Sequence, residues 1–279
     1  MRNHLIAPSA PRCKPVGRTA QAVRCCTEPA IQFLSPLEIA YCCVVMVACY
    51  ALRGSTGFGA AAAMPLLGLV IPMKALIPAW TLVGLVASVT LFGRDRHHVA
   101  WREIAKLVPT CLAGVLAGLY LFTVLDSSAL ARGLGILVLF YGLHSLWTTF
   151  RPLPRWNVST RVAAPVAGLL GGIIGTGFGT MAGVFFAMYF DTLRKGKEQF
   201  RATMNAILLA LVVLRGAGYW AVGEYTHDVL ILAGIALPLM LMGIFIGNRI
   251  HTGLSELVFR RLVGAALIAS GAALLAKSA

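Results

Sequence analysis

Acidic side chains are scarce in this chain: 10 Asp and Glu stand against 24 Lys and Arg, and charged residues make up only 12% of its 279 positions. A soluble domain of this length carries about twice that charged fraction, so an ordinary water-facing surface is excluded. The carboxylates are also poorly placed for intramembrane work. Glu38, Asp95, Glu103, Asp126, Asp191, Glu198, Glu224, Asp228 and Glu256 all fall near the ends of apolar segments or in loops. A mid-membrane Asp or Glu proton relay is therefore not evident, and a cationic substrate would lack a counter-charge. The cysteines, at 13, 25, 26, 42, 43, 49 and 111, show no metal-ligand spacing. Most lie in or beside apolar helix, where Cys behaves as a small hydrophobe. No disulfide, zinc site or other cofactor is expected. Neither G-x-S-x-G nor H-E-x-x-H is present, and His144 has no obvious acidic partner for catalysis.

What the chain has in quantity is apolar sequence, 58% hydrophobic with a mean hydropathy of +0.81. Several runs reach the roughly 18 residues needed to cross a bilayer. Plain spanning lengths occur at 73–92, 104–124 and 130–150, and again at 201–221, 228–248 and 260–277. The net charge of +14 resides largely in short loops such as GRDRHHVAWRE (93–103), RPLPRWNVSTR (151–161) and DTLRKGKEQFR (191–201). That is the pattern of cytoplasmic loops under the positive-inside rule, not of a nucleic-acid-binding stripe. Residues 1–33 are Arg-rich and lack an apolar core. They read as a disordered basic tail, or as the product of a start codon set too far upstream, outside the fold.

The remaining apolar segments, 36–53 with 55–71 and 162–174 with 175–190, form two pairs, and each pair meets at the tetrapeptide TGFG. Pro109, Gly114, Gly118, Arg132, Gly135 and Gly142 correspond to Pro238, Gly243, Gly247, Arg261, Gly264 and Gly271 at a constant offset of 129, while the two TGFG copies lie 120 apart. An internal duplication follows, with one transmembrane repeat at 34–150 and a second at 151–279. With the basic loops placed inside, 73–92 runs inward and its counterpart 201–221 runs outward. The expected fold is all-α: a polytopic membrane helix bundle of two inverted-topology repeats, each with a Gly-broken helix pair plus three spanning helices.

Irregular backbone inside a bilayer must satisfy its own polar groups or line a polar cavity. A Gly-rich break exposes amides at the start of the following helix, where the helix dipole favours anions. Thr56 and Thr176 are suited to N-cap those second helices. Gly57, Gly59, Gly177 and Gly179 would let a ligand approach the backbone. Phe58 and Phe178 fit a plug, a lid or ordinary core equally. The GxxxG pairs at 114/118 and 243/247 read as close helix packing. Arg53 abuts the first TGFG, and Arg215 lies within the run LLALVVLRGAG. Each could meet an anion, or snorkel to the interface. Thr203 and Asn205 could add neutral hydrogen bonds.

The duplicated Gly-rich segments, the PLL at 65–67 after the first of them, and the Pro-x4-Gly-x3-Gly helix of each half resemble the sulfite exporter TauE/SafE family. The resemblance covers about 36–277. It implies a transporter of sulfite, sulfonates or related small organic anions, with the binding region on Thr56–Gly59, Pro65 and Thr176–Gly179. Phe58 and Ala60 interrupt the glycine run that many members carry in the first motif.

The expected function is secondary transport, as a probable exporter, of a small anion such as sulfite, an organosulfonate or a small carboxylate, by alternating access in the cell (inner) membrane. The expected partners are the lipid bilayer and the anionic substrate, with a coupling proton and homo-oligomerisation left open. The competing readings are a membrane-embedded structural or assembly protein and an intramembrane enzyme.

Overall fold

A computed structural model describes residues 35–56, 62–150, 160–193, 196–249 and 256–278 of the chain. The tail at 1–33, the loop at 151–159, Gly57, Phe58 and Gly59, and the side chains of Arg53 and Thr56 lie outside what it describes. Among the described residues the fold is all helical. Its helices are α1 (Pro36–Thr56), α2 (Ala63–Leu67), α3 (Met73–Asp95), α4 (Trp101–Val124), α5 (Ser127–Phe150), α6 (Thr160–Gly177), α7 (Ala182–Thr192), α8 (Lys197–Val222), α9 (His227–Arg249) and α10 (Glu256–Ser278), with one 3-10 turn at Arg96–His98.

Five stretches in these helices are long and apolar enough to cross a membrane: Met73–Thr90, Trp101–Val124, Ser127–Thr148, Glu198–Val222 and His227–Gly247. The sixth expected span, 260–277 in α10, lies partly outside the described side chains, and its described part is the apolar stretch Gly264–Lys277. Large apolar side chains are left exposed on several spans, among them Tyr120, Phe140, Leu116 and Ile235. In a bilayer such faces meet hydrocarbon and need no protein cover.

The small residues set how the helices pair. α4 and α6 run side by side in the same direction. A Cβ added at Gly114 would stand 2.3 Å from the Leu169 carbonyl oxygen, and one at Gly172 would stand 2.5 Å from that of Cys111. α1 and α9 pair likewise, with an added Cβ at Gly243 2.8 Å from the Val47 carbonyl and one at Gly247 2.1 Å from that of Ala51. The GxxxG pairs thus serve as packing seams, as the sequence suggests. α5 and α10 pack antiparallel, Gly135 against Gly271 and Gly142 against Gly264. α3 and α8 also cross antiparallel, with Gly84 facing Val212 and Arg215, and Gly216 facing Thr81.

Two hydrophobic clusters result. One contains Tyr50, Met64, Ile77, Trp80, Leu134 and Met240, and the other Leu107, Cys111, Phe186, Tyr189, Ile207 and Leu211.

Candidate functional site

The second TGFG is the better-defined break. Helix α6 does not stop at residue 174. It runs on through Thr176 and Gly177, and Phe178 N–H still donates to the Ile174 carbonyl at 3.0 Å. The chain then turns through Gly179 (φ +74°) and Met181 (φ +67°) before α7 starts at Ala182. Glycine tolerates that left-handed conformation at no cost, whereas a methionine there is strained. Thr176 therefore belongs to the last turn of α6 and is not the N-cap of α7. The expected capping role is corrected by the three extra residues of helix, 175–177.

The break is held by α8. Arg215, 4% exposed, donates from one guanidinium nitrogen to the Gly175 carbonyl at 2.7 Å and to the Gly179 carbonyl at 3.3 Å. One turn further along, the Tyr219 hydroxyl donates to the Thr176 carbonyl at 2.5 Å. The carbonyl end of a helix is the negative end of its dipole and needs donors when buried. Arg215 and Tyr219 supply them. Carbonyl dipoles do not cancel a guanidinium's unit charge, so the clamp brings positive charge to the break. The Thr176 hydroxyl is fully buried and has no hydrogen-bond partner. A buried hydroxyl left in that state is rare and calls for a water, ion or ligand.

The glycines of this segment differ in what they require. A Cβ at Gly175 would meet Ala182 Cβ at 2.8 Å, and one at Gly171 would meet the Phe186 ring at 2.8 Å, so these two let α6 and α7 fold against each other. A Cβ at Gly179 would lie 2.5 Å from the methyl of Met64. Gly177 is helical, and among the described residues a Cβ there would find its nearest neighbour, Leu121, at 3.4 Å, an ordinary contact. Neither packing against the described residues nor backbone conformation explains why residue 177 is glycine.

Phe178 is half-buried, its ring against α5 where Gly133 leaves room. Pro65 is buried in the short α2, next to Met64, whose methyl reaches Gly179 and so brings the first hairpin against the second break. Thr203 and Asn205 lie elsewhere, about 18 and 15 Å down α8 from Arg215 at 1.5 Å per residue. The Thr203 hydroxyl accepts from the Ala100 amide at 3.0 Å and donates to the Gln199 carbonyl at 2.7 Å, tying α8 to the loop before α4. A cavity of about 300 Å³ opens between α3 and α8, lined by Thr81, Leu82, Val212, Gly216, Trp220 and Tyr225. It is walled mainly by apolar side chains and lies beside Gly216, the residue after Arg215.

Tyr219 and Met64 are absent from the sequence-based site. Tyr219 had a readable signal, since it stands four residues after Arg215 and shares its helix face. Met64 had none, because its contact crosses between the two halves.

Comparison with known proteins agrees with this architecture. The family model for the sulfite exporter TauE/SafE matches residues 41–274. A probable inner membrane transporter protein, TsaS, of Comamonas testosteroni is 30% identical over 201 residues, covering 69% of this chain and 80% of that protein. No solved structure matches. With a family match spanning nearly all of the apolar sequence and a relative at this identity, the chain belongs to the sulfite exporter TauE/SafE family of membrane proteins.

Proposed function

We propose that this protein is a secondary transporter of the inner membrane that moves a small anion, such as sulfite, an organosulfonate or a small carboxylate, by alternating access. The observation that carries the reading is the clamp of Arg215 and Tyr219 on the end of α6. With those carbonyls occupied, the break offers a guanidinium charge, the positive end of the α7 dipole, the unpartnered Thr176 hydroxyl and the bare backbone of Gly177. Each of these favours an anion. Thr56, Gly57, Phe58, Gly59 and Arg53 would supply the matching surface from the first hairpin, with Pro65 and Met64 leading out of it. Export of a monovalent anion from a negative-inside cell is favoured by about 2.3 kcal/mol per 100 mV.

Packing supports the two-repeat reading. Exchanging the halves turns the pairing of α4 with α6 into that of α9 with α1, and it leaves α3 with α8 and α5 with α10 unchanged. The two self-related pairs run antiparallel, as inverted repeats require. Thr203 and Asn205 enter this proposal only as groups near the basic end of the pathway.

The test is saturable uptake into proteoliposomes of sulfite, taurine, sulfoacetate and simple carboxylates, by wild type and by Gly177→Ala. Flux of one anion that falls at least tenfold in a variant of unchanged melting temperature supports the site. Flux identical in the two proteins removes the second break from the binding region.

A further inference from the structure

At the basic end of the molecule, Glu103 in the first turn of α4 reaches across to α7. The Tyr189 hydroxyl donates to its Oε2 at 2.5 Å, and Lys106 Nζ donates to its two oxygens at 3.0 and 3.1 Å. The Glu103 side chain is only 12% exposed, and Tyr189 is 2% exposed. Tyr189 also packs on Phe190, which meets the Phe200 ring on α8 edge-on. α7 is a lever of 11 residues. One end hangs on the left-handed turn at Gly179–Met181, and the other is tied to the scaffold through Tyr189 and Glu103.

We propose that Glu103 is a proton-binding site that couples the protonation state of the basic side to the position of α7, and through it to the break at 178–181. The inference rests on the transporter reading above. Ionised Glu103 pairs with Lys106 and takes a charge-assisted bond from Tyr189, which locks α7 against α4. A proton arriving from the aqueous phase at that end forms the O–H bond of a neutral carboxylic acid. The ion pair is then lost, the phenol's bond becomes a neutral one of roughly half the strength, and α7 is free to turn on its hinge. The lock is present when Glu103 is charged and is lost as pH falls.

Among the described residues, the other ionisable groups of this end are Arg102 on α4, His97 and His98 in the preceding turn, Glu198 and Arg201 on α8, and Arg249 in the last turn of α9, with His98 3.8 Å from Glu198. Neither α6 nor α3 adds a described titratable side chain here. Among the described carboxylates, Glu198 is 80% exposed and Asp126 binds within its own turn, so neither spans two helices as Glu103 does.

The experiment is amide hydrogen exchange of the intact protein in lipid nanodiscs, from about pH 8 to about pH 3.5, a range that passes below the ordinary glutamate value, corrected for intrinsic exchange, with peptides covering 182–192 as the readout. Wild-type α7 should exchange about tenfold faster at the acid end, the effect of losing about 1.4 kcal/mol of restraint. Glu103→Gln, which keeps an acceptor for Tyr189 but cannot titrate, should give a flat profile. Lys106→Met, a change at an exposed residue, should keep the transition and move its midpoint toward higher pH. A flat profile in wild type, or a Glu103→Gln profile that tracks wild type, overturns the proposal.

None of these measurements requires a cargo, so failure of the anion reading leaves them interpretable. In proteoliposomes, sulfite flux should respond to an imposed pH gradient in wild type and persist without that response in Glu103→Gln. An equal response in both overturns the coupling site while leaving anion transport intact.

Discussion

Arg215 on α8 donates to the carbonyl of Gly175 on α6 at 2.7 Å, and this bond joins a spanning helix to the one broken element whose backbone is fully described. A buried guanidinium of this kind is costly unless its donors are used, and here they complete a helix end that lacks its own donors. Arg215→Met should therefore lower stability by about 2 kcal/mol or more, because two charged-donor bonds are removed and carbonyls are left bare. Thermal unfolding in detergent, followed by tryptophan emission, checks this. A melting temperature equal to wild type would mean that Arg215 does not hold the break.

Tyr219→Phe is the gentler version of the same experiment. It deletes one hydroxyl and leaves the ring, which stacks edge-on with Phe122 at 5.0 Å. Loss of the bond to Thr176 should cost about 1 kcal/mol, in line with single hydrogen bonds in helical membrane proteins. Combining it with Arg215→Met should give less than the sum of the two effects, since both act on one helix end. Strict additivity in that cycle would show two independent contacts.

The architecture was legible in the sequence because its signals are long-range averages. Hydropathy marked the spans, and six Pro, Gly and Arg positions recur at a constant offset of 129. The glycines among those positions turned out to be the seams, since only a residue without Cβ lets Gly247 sit 2.1 Å, by its would-be Cβ, from the Ala51 carbonyl. Details of the break were less legible. That Thr176 and Gly177 stay helical depends on one backbone bond to Ile174, and nothing in the tetrapeptide separates a helix end from a helix start. The positive φ of Met181 is imposed by the hairpin, since its residue type argues against it. Arg215 was singled out for its place in an apolar run, but its bond to Gly175 spans 40 positions of chain.

The seams give a stability prediction separate from function. Gly247→Ala drives a methyl into the backbone of α1 and should destabilise by about 1–3 kcal/mol, the usual range for overpacking. Gly234→Ala, on the same helix with no described atom within 4 Å of the added carbon, should be neutral or slightly stabilising. Comparing the two melting temperatures checks whether α1 and α9 are in contact as described.

Outside the membrane, Asp126 starts α5. It accepts from the Ser128 hydroxyl at 2.7 Å and from the Ala129 amide at 3.1 Å, which together hold its carboxyl below the usual aspartate range. A depressed carboxylate stabilises the fold above its unfolded-state pKa, and that contribution is lost as pH falls through the folded-state value. Asp126→Asn removes the titration while keeping a capping side chain. The gap in melting temperature between wild type and variant should therefore close on acidification below about pH 4. A gap independent of pH would assign the effect to shape alone.

The most discriminating pair is Gly177→Ala against Gly179→Ala. At 179 the backbone has φ +74° and the added methyl would stand 2.5 Å from Met64, so alanine must cost stability through conformation and contact together. The left-handed conformation alone contributes about 1–2 kcal/mol. At 177 the backbone is helical and the nearest described atom would be 3.4 Å away, so alanine should leave stability unchanged or raise it by up to about 1 kcal/mol, the usual helix preference over glycine. If both glycines served only the fold, transport would follow stability: Gly179→Ala would be impaired and Gly177→Ala would match wild type. If the bare backbone at 177 lines the anion path, Gly177→Ala separates the two properties, with melting temperature maintained and sulfite or sulfonate flux reduced at least tenfold. Purified protein melted in detergent and assayed in proteoliposomes gives both numbers from one preparation, and a Gly177→Ala protein as fast as wild type places the anion path away from this residue.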